Sequence, residues 1–295
     1  MTYRLKELNI YEQVKFEVVD LRQKNTLDSL VKEYKPSYFA HLASQSSVKK
    51  SQDFKKLTEE SNYLISKNVI ESLEKYSKDT IFFFPSSANI YEGYQNTTVD
   101  EHTLPLPLTN YAISKYKIQN LISKKNNLQL NTGILFSHES EFRRPNFFSK
   151  RIADFLVRYY LGDKKCLSVG DLSIGRDIGY AEEYVEAIYQ ILKQNRKVEY
   201  IVSSNHLYQL SDIVENILEL LDIKYETLIK DNMLSYIDLK TNNKFIVSDI
   251  KNFRTQDLIG IKGDNNKIKQ DLNWTPKIKL DEICERMINY ELNKY

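Results

Sequence analysis

An α/β protein with a mostly parallel sheet is predicted here on three observations. Short runs rich in Val, Ile, Phe and Tyr alternate with longer stretches of helical period. A chain of 295 residues with 41% hydrophobic content can bury a sizeable core, as one large domain or two ordinary ones. Two of the apolar runs end in small hydroxyl residues, at "PSSA" and "LASQSS", and strand ends are where open α/β sheets hold ligands.

The elements follow in order. Strands are expected at Val14 to Val19, Tyr38 to Ala43, Thr80 to Phe84, Leu130 to Phe136, Leu167 to Val169 and Val198 to Val202, where β-branched and aromatic residues cluster. Helices are expected at Leu27 to Tyr34, Phe54 to Tyr76, Tyr111 to Lys124, Phe147 to Leu161, Glu182 to Lys193, Leu210 to Leu221 and Leu280 to Leu292. In the second helix Leu57, Tyr63, Leu64, Val69, Ile70 and Leu73 form an uneven but mainly 3.6-residue stripe, the mark of a core face. Beyond Ile201 the elements shorten and Asn/Lys-rich connections intervene at "IKDNM", "KTNNK" and "KGDNNK", which suggests a smaller, less regular carboxy-terminal lobe.

The net charge of +2, with both signs interspersed, creates no field suited to nucleic acid or an anionic membrane, so a small-molecule partner is expected. Cys166 and Cys284 stand far apart without a CxxC or Cys/His cluster, so neither a disulfide framework nor a zinc site is indicated. No apolar leader and no run of about 18 apolar residues occurs, so a soluble cytoplasmic protein is expected. Only 8 glycines are present and the first is Gly93, so no glycine-rich phosphate cradle precedes it.

Tyr111 and Lys115 lie four apart at a helix start, with Thr109 or Asn110 available as a cap, and so share one helical face. An ammonium beside a phenol favours the phenolate. Lowering a tyrosine from about 10 to about 7 needs roughly 4 kcal/mol of differential stabilisation, much of which a neighbouring cation in a dry site supplies. Such a phenolate accepts a proton from an alcohol undergoing hydride loss. In a chain with 21 tyrosines the YxxxK spacing alone says little, but it follows "FFFPSSANIYEGY", an apolar strand ending in Ser86 and Ser87, whose hydroxyl can hold a substrate oxygen beside the phenol. "LASQSSV" reads equally as a ligand-binding strand end or a polar turn, and Asp20 in "VVDLR" locally as a turn or cap.

"GILFSHESEFRRPNFFSKRI", Gly133 to Ile152, resembles the signature of the GDP-mannose 4,6-dehydratase family of extended short-chain dehydrogenase/reductases. The likeness continues in "GDLSIGRDIGYAEEYVEAIYQIL" and "KGDNNKIKQDLNWTP" and reaches back to roughly Leu5, covering nearly the whole chain. It implies a Rossmann-like doubly wound parallel sheet, amino-terminally truncated, with residues 1–165 as an incomplete NAD(P)-binding domain and 166–295 mainly as a nucleotide-sugar-binding lobe. It assigns Ser87, Tyr111 and Lys115 as catalytic, and Asp20, Leu21, Leu42, Ala43, Ser44 and His138, with Tyr111 and Lys115, to an NADP or NAD cofactor. Ser47, Ser137, Asn146, Arg151, Arg176, Arg254 and Asp257 match substrate positions, where arginines grip diphosphate oxygens through charge-assisted bonds. The substrate implied is GDP-mannose or a similar nucleotide sugar, and the assembly a homodimer or homotetramer.

Departures from the family bear on activity. Met1 aligns after the second strand of the family pattern, beyond its opening strand and glycine-rich turn, so residues precede it, the sheet is rearranged, or another chain fills the gap; two neighbours of a missing central strand would lose on the order of 1–3 kcal/mol per buried unsatisfied group. Asn89 stands where the family has a glutamate that removes the proton beside the transient ketone, and an amide is no general base. Ser137 replaces an asparagine, and Glu92 is an inserted residue before Gly93. Three functions are therefore expected to compete: an NADP-dependent dehydratase, a catalytically silent nucleotide-sugar binder or partner subunit, and an epimerase or ketoreductase that needs no elimination base.

Overall fold

Residues 2–44, 55–253 and 260–295 are described by the structure, a computed structural model. Its centre is a parallel sheet of β1 (Tyr38–Ala40), β2 (Ile81–Ser87), β4 (Gln129–Leu135) and β8 (Glu199–Val202), in the order β1-β2-β4-β8. The longest ladder joins β2 to β4, from Ile81 opposite Gln129 to Ser87 opposite Leu135. The unbroken apolar run Phe82, Phe83, Phe84 follows from burial on both faces of β2. Because side chains alternate along a strand, Phe82 and Phe84 pack with Leu27, Val31, Val69, Ile70, Leu73, Ile118 and Ile122. Those residues come from α2 (Lys24–Tyr34), α3 (Lys55–Tyr76) and α4 (Asn110–Ser123). Phe83 instead meets Tyr184, Ala187 and Ile191 of α6 (Ala181–Leu192). Helices cover both faces, which makes this the doubly wound sheet expected.

The stretch Val14 to Val19 forms no strand, contrary to expectation: Val14, Phe16 and Val18 are exposed. A strand exists only through its ladder, and β1 is the edge of the sheet with no strand beyond it among the described residues. Tyr38 and Ala40 are themselves exposed. A short helix α1 (Thr2–Glu7), not expected from the sequence, precedes this stretch. The predicted start of α3 at Phe54 lies outside the described residues.

The carboxy-terminal part is more regular than its composition suggests. β6 (Leu167–Val169) joins a sheet with β10 (Tyr225–Lys230), β11 (Met233–Asp238) and β12 (Asn243–Ser248), in the order β10-β11-β12-β6. "IKDNM" is the tight turn between β10 and β11: Lys230 pairs with Met233, leaving Asp231 and Asn232 at φ 53° and 58°. Asp and Asn tolerate the left-handed region that such a hairpin requires, so the polar run marks a turn within a sheet. This sheet packs on α5 (Phe148–Tyr160), α7 (Leu210–Leu220) and α9 (Leu280–Leu292) through Leu156, Val169, Ile213, Tyr236, Phe245 and Met287, among others. Two smaller sheets complete the fold: β5 (Ser137–Glu139), β7 (Gly175–Tyr180) and β9 (Leu207–Gln209), and β3 (Thr98–Val99) beside β13 (Lys262–Gly263). The short helix α8 (Asn266–Leu272) adds Ile268 to the core under α6.

Candidate active site

The carboxyl ends of β1, β2 and β4 converge on one edge of the sheet, as ligand sites of open α/β sheets do. β2 ends in Ser86 and Ser87, and the structure distinguishes them. The Ser86 hydroxyl is buried and donates to Gln119 Oε1 at 2.7 Å. Ser87 instead stands close enough to Tyr111 to act on its phenol. α4 starts beside it because Thr109 is an N-cap, its hydroxyl accepting from the Ala112 amide at 3.2 Å. One turn later Lys115, 3% exposed, lies 5.8 Å from the centroid of the Tyr111 ring and 4.9 Å from that of Phe84. Its ammonium donates to the Pro85 carbonyl at 2.8 Å.

These contacts alter the electrostatic expectation. Burial pushes the Tyr111 phenol above its ordinary value, the nearby Ser87 hydroxyl pulls it down and Glu92 adds to the rise. Burial also pulls Lys115 down to about 8. The lysine faces the ring and a carbonyl rather than the phenolic oxygen, so in this state Tyr111 stays protonated. A ligand that displaces the Pro85 contact would be needed to turn the ammonium toward it.

Asn89, at the place of the family glutamate, is the second residue of a 3₁₀ turn over Ala88–Tyr91. In such a turn residues three apart eclipse, and Asn89 Nδ2 donates to Glu92 Oε1 at 2.6 Å. Glu92 is 7% exposed and also receives the Thr109 hydroxyl at 3.0 Å and the amides of Thr109 and Leu108 at 2.8 and 3.3 Å. On the other side, the Ser87 hydroxyl donates to Asn89 Oδ1 at 3.1 Å. Sequence reasoning marks Glu92 only as an insertion; its signal is an acid inside an otherwise apolar segment three residues after Asn89.

The remaining expected cofactor positions are distributed around this corner. His138 follows β4, its Nδ1 donating to the Phe136 carbonyl at 2.8 Å and its ring 5.0 Å from Tyr184. Burial lowers its pKa to about 4, so the neutral ring keeps Nε2 as an acceptor. Opposite it in the β5–β7 ladder is Gly179, where a Cβ would come within 2.4 Å of the Tyr184 ring. Leu42 and Ala43 are exposed beyond β1 and Ser44 is half-buried. Asp20 binds Arg22 through both carboxylate oxygens, at 2.9 and 2.7 Å, which holds it down at about 2, and it also accepts the Arg22 amide. It therefore occupies a turn, with Leu21 packed against the helical core beside it.

The expected diphosphate-binding residues are less assembled. Asn146 and Arg151 are exposed at the start of α5, where Arg151 makes only a long contact of 3.4 Å to the Ser168 carbonyl. Its neighbour Lys150 is buried against Glu291 of α9 and belongs to the core. Ser137 and Arg176 sit half-buried on β5 and β7. Ser47, Arg254 and Asp257 lie outside the described residues.

Tyr111, Lys115 and His138 are each desolvated, and with Ser87 beside Tyr111 their chemistry suits a nicotinamide and its ribose. No glycine occurs before Gly93, so residues 2–44 supply no glycine-rich turn for a cofactor pyrophosphate. Among the described residues there is no cluster of His, Cys, Asp and Glu able to hold a metal ion, and no helix long and apolar enough to cross a membrane.

A family model described as GDP-mannose 4,6 dehydratase matches residues 2–287. The GDP-mannose 4,6 dehydratase of Homo sapiens is 26% identical over 299 residues, 98% of this chain and 79% of its own length. That of Vibrio cholerae is 27% identical over 288 residues, covering 92% and 77%. Among solved structures, RMD from Pseudomonas aeruginosa complexed with NADPH superposes with a TM-score of 0.79 at 18% identity, over 98% of this chain and 95% of that one. The UDP-glucose 4-epimerase of Thermotoga maritima with UDP-glucose gives 0.77 at 19% identity, over 95% and 84%. At these identities the two solved structures establish the fold.

Proposed function

The chain belongs to the GDP-mannose 4,6-dehydratase family, and from that premise we propose that it binds a GDP-hexose of the GDP-mannose type and exchanges hydride at its C4 by the 4,6-dehydratase route. The observation that carries this reading is Tyr111 with Ser87 beside it and Lys115 5.8 Å from its ring centroid, in a site dry enough to raise the phenol and lower the amine. Tyr111, Lys115, Ser87 and His138 would hold the nicotinamide end of NADP, with Leu42, Ala43 and Ser44 along its path. When bound, that cofactor accepts hydride from C4 and later returns it. Ser87 positions the sugar oxygen, Tyr111 takes its proton, and Lys115 stabilises the phenolate so formed. Asn146, Arg151, Arg176, Arg254 and Asp257 would hold the diphosphate and its ribose.

Loss of water from C5 and C6 requires a base that Asn89 does not provide. Without one, the elimination limb is expected to run about 10²–10⁴ slower than hydride exchange allows. That observation favours a second reading, a sugar-nucleotide binder that pairs with a competent subunit. Thermal-shift titration with GDP-mannose and, separately, with NADP tests both. Stabilisation by each, together with slow formation of a 4-keto product, supports the enzyme. Stabilisation by GDP-mannose alone supports the binder, and by neither ligand refutes both.

A further inference from the structure

We propose that β10 is a self-recognition edge, through which two copies of this chain pair antiparallel about a twofold axis at Leu228 and merge their carboxy-terminal sheets into one. The contact lies on the sheet of β6, β10, β11 and β12 and does not depend on the sugar-nucleotide reading above.

Among the described residues β10 is the edge of its sheet, and five of its six residues are exposed, Leu228 at 41% and Ile229 at 72%. It holds no proline, and no bulge interrupts its pairing with β11. A regular edge of this length is a template for another strand. The hairpin fixes which backbone groups it offers. Lys230 and Met233 close a two-residue turn as a hydrogen-bonded pair, so the even-numbered residues turn their N–H and C=O groups toward β11; the Leu239 amide donating to the Lys224 carbonyl at 3.1 Å keeps this parity. Tyr225, Thr227 and Ile229 therefore turn theirs outward.

Charge then selects the register. A strand pairs with its own copy, outward group to outward group, only when the twofold axis falls on a residue. An axis at Glu226 or Lys230 sets that charge against itself, and one at Thr227 sets Lys224 against the partner's Lys230. An axis at Tyr225 would use Lys224, already paired with Asp222 at 2.6 Å, and leave Ile229 uncovered. One at Ile229 runs Thr227 into the turn residue Asp231, whose φ of 53° takes it out of strand geometry. Leu228 avoids all of these conflicts. With the axis there, Glu226 faces the partner's Lys230 on both sides of it, Leu228 meets its own copy, and Thr227 exchanges N–H to C=O bonds with the partner's Ile229. Glu226, Leu228 and Lys230 share one face of the strand and fall at non-hydrogen-bonded pairs, where side chains approach most closely. A contact of this length makes a reversible dimer rather than an obligate one.

Analytical ultracentrifugation of the full chain over micromolar concentrations tests the proposal. The wild type is expected to dimerise reversibly. Glu226→Lys, which places like charges across the contact on both sides of the axis, should weaken the dimer by about tenfold or more, and Lys230→Glu should do the same. An equimolar mixture of the two variants restores opposite charges at every facing pair and should recover the wild-type affinity to within about threefold. That recovery requires the two positions to face each other, and it shows that both variants fold. With the exposed Cys166 replaced by Ser, Leu228→Cys should form an intermolecular disulfide on mild oxidation and Ile229→Cys should not, because residue 228 lies opposite itself and residue 229 does not. A wild type that stays monomeric overturns the proposal, as does a dimer that neither charge variant weakens, or a mixture that associates no better than its components. Equal cross-linking at the two positions would also overturn it, whatever other faces of the chain associate.

Discussion

The two halves of the candidate site are built differently. At the reaction corner, Ser87, Asn89, Glu92, Tyr111 and Lys115 come from one strand end, one 3₁₀ turn and one helix, and the side chains of Ser87, Asn89, Glu92 and Lys115 have hydrogen-bond partners inside the protein. On the side proposed for the diphosphate, Asn146 and Arg151 are exposed at the start of α5. The corner is preorganised by the core, so ligand binding need not order it; the guanidinium on the other side is hydrated. Substitutions at the corner should therefore couple to one another and to folding, and those on the cationic side should do neither.

The sharpest contrast is at Lys115. Lys115→Met should reduce hydride exchange by about 10²–10⁴, read as single-turnover cofactor absorbance. The same change should stabilise the fold at pH 7 by on the order of 1–3 kcal/mol, because a buried ammonium held at about 8 is costly to keep charged. Between about 8 and the ordinary lysine value of 10.5, the folded wild type binds fewer protons than its unfolded chain, so wild-type stability rises with pH. The gap between the two proteins in urea titrations should close across that window. A Met variant no more stable than wild type at pH 7 would remove the claim that the corner is strained for function.

His41 extends the corner beneath β1. It is 3% exposed, its Nε2 lies 2.9 Å from the Ser66 hydroxyl, and burial with help from Lys115 lowers its pKa to about 4. The unfolded chain protonates first as pH falls from about 6.5 to 4, so stability present above 6.5 drains away in that interval, by on the order of 3 kcal/mol. Chemical denaturation of His41→Gln should lack this slope; an unchanged slope assigns the acid sensitivity elsewhere.

Asn89 and Glu92 are expected to be energetically coupled. Asn89→Glu alone would set two carboxylates where one hydrogen bond of 2.6 Å now stands, a like-charge contact that should cost about 1–3 kcal/mol in stability. Adding Glu92→Gln should recover most of that loss and allow any gain in dehydration to appear. A double-mutant cycle with no interaction energy would break the link between the two positions. The smallest effect is expected at Arg151→Ala, which should weaken GDP-mannose by a few-fold to about tenfold while leaving stability within about 0.5 kcal/mol.

Much of this was legible without coordinates. Alternation of apolar runs with helical stretches gave the parallel sheet, because burial on both faces leaves continuous hydrophobic strands such as Phe82 to Phe84. The spacing of Tyr111 and Lys115 put them on one helical face, and the order of "PSSA" before them brought a hydroxyl alongside. Val14 to Val19 misled because its residues favour a strand while no neighbour among the described residues offers a ladder. "IKDNM" and "KTNNK" misled because their polarity belongs to hairpin turns rather than to irregular structure.

What the sequence determined by itself was periodicity and residue type, since side-chain alternation, helical spacing and capping are local properties of the chain. Only the tertiary structure decided the protonation and direction of the groups that matter: which of two serines faces the phenol, where Lys115 sends its ammonium, and which end of Asn89 meets Ser87. Those depend on desolvation and on partners as far apart as Glu92 and Thr109, and a hydrogen bond between distant residues has no signature along the chain until folding brings them together.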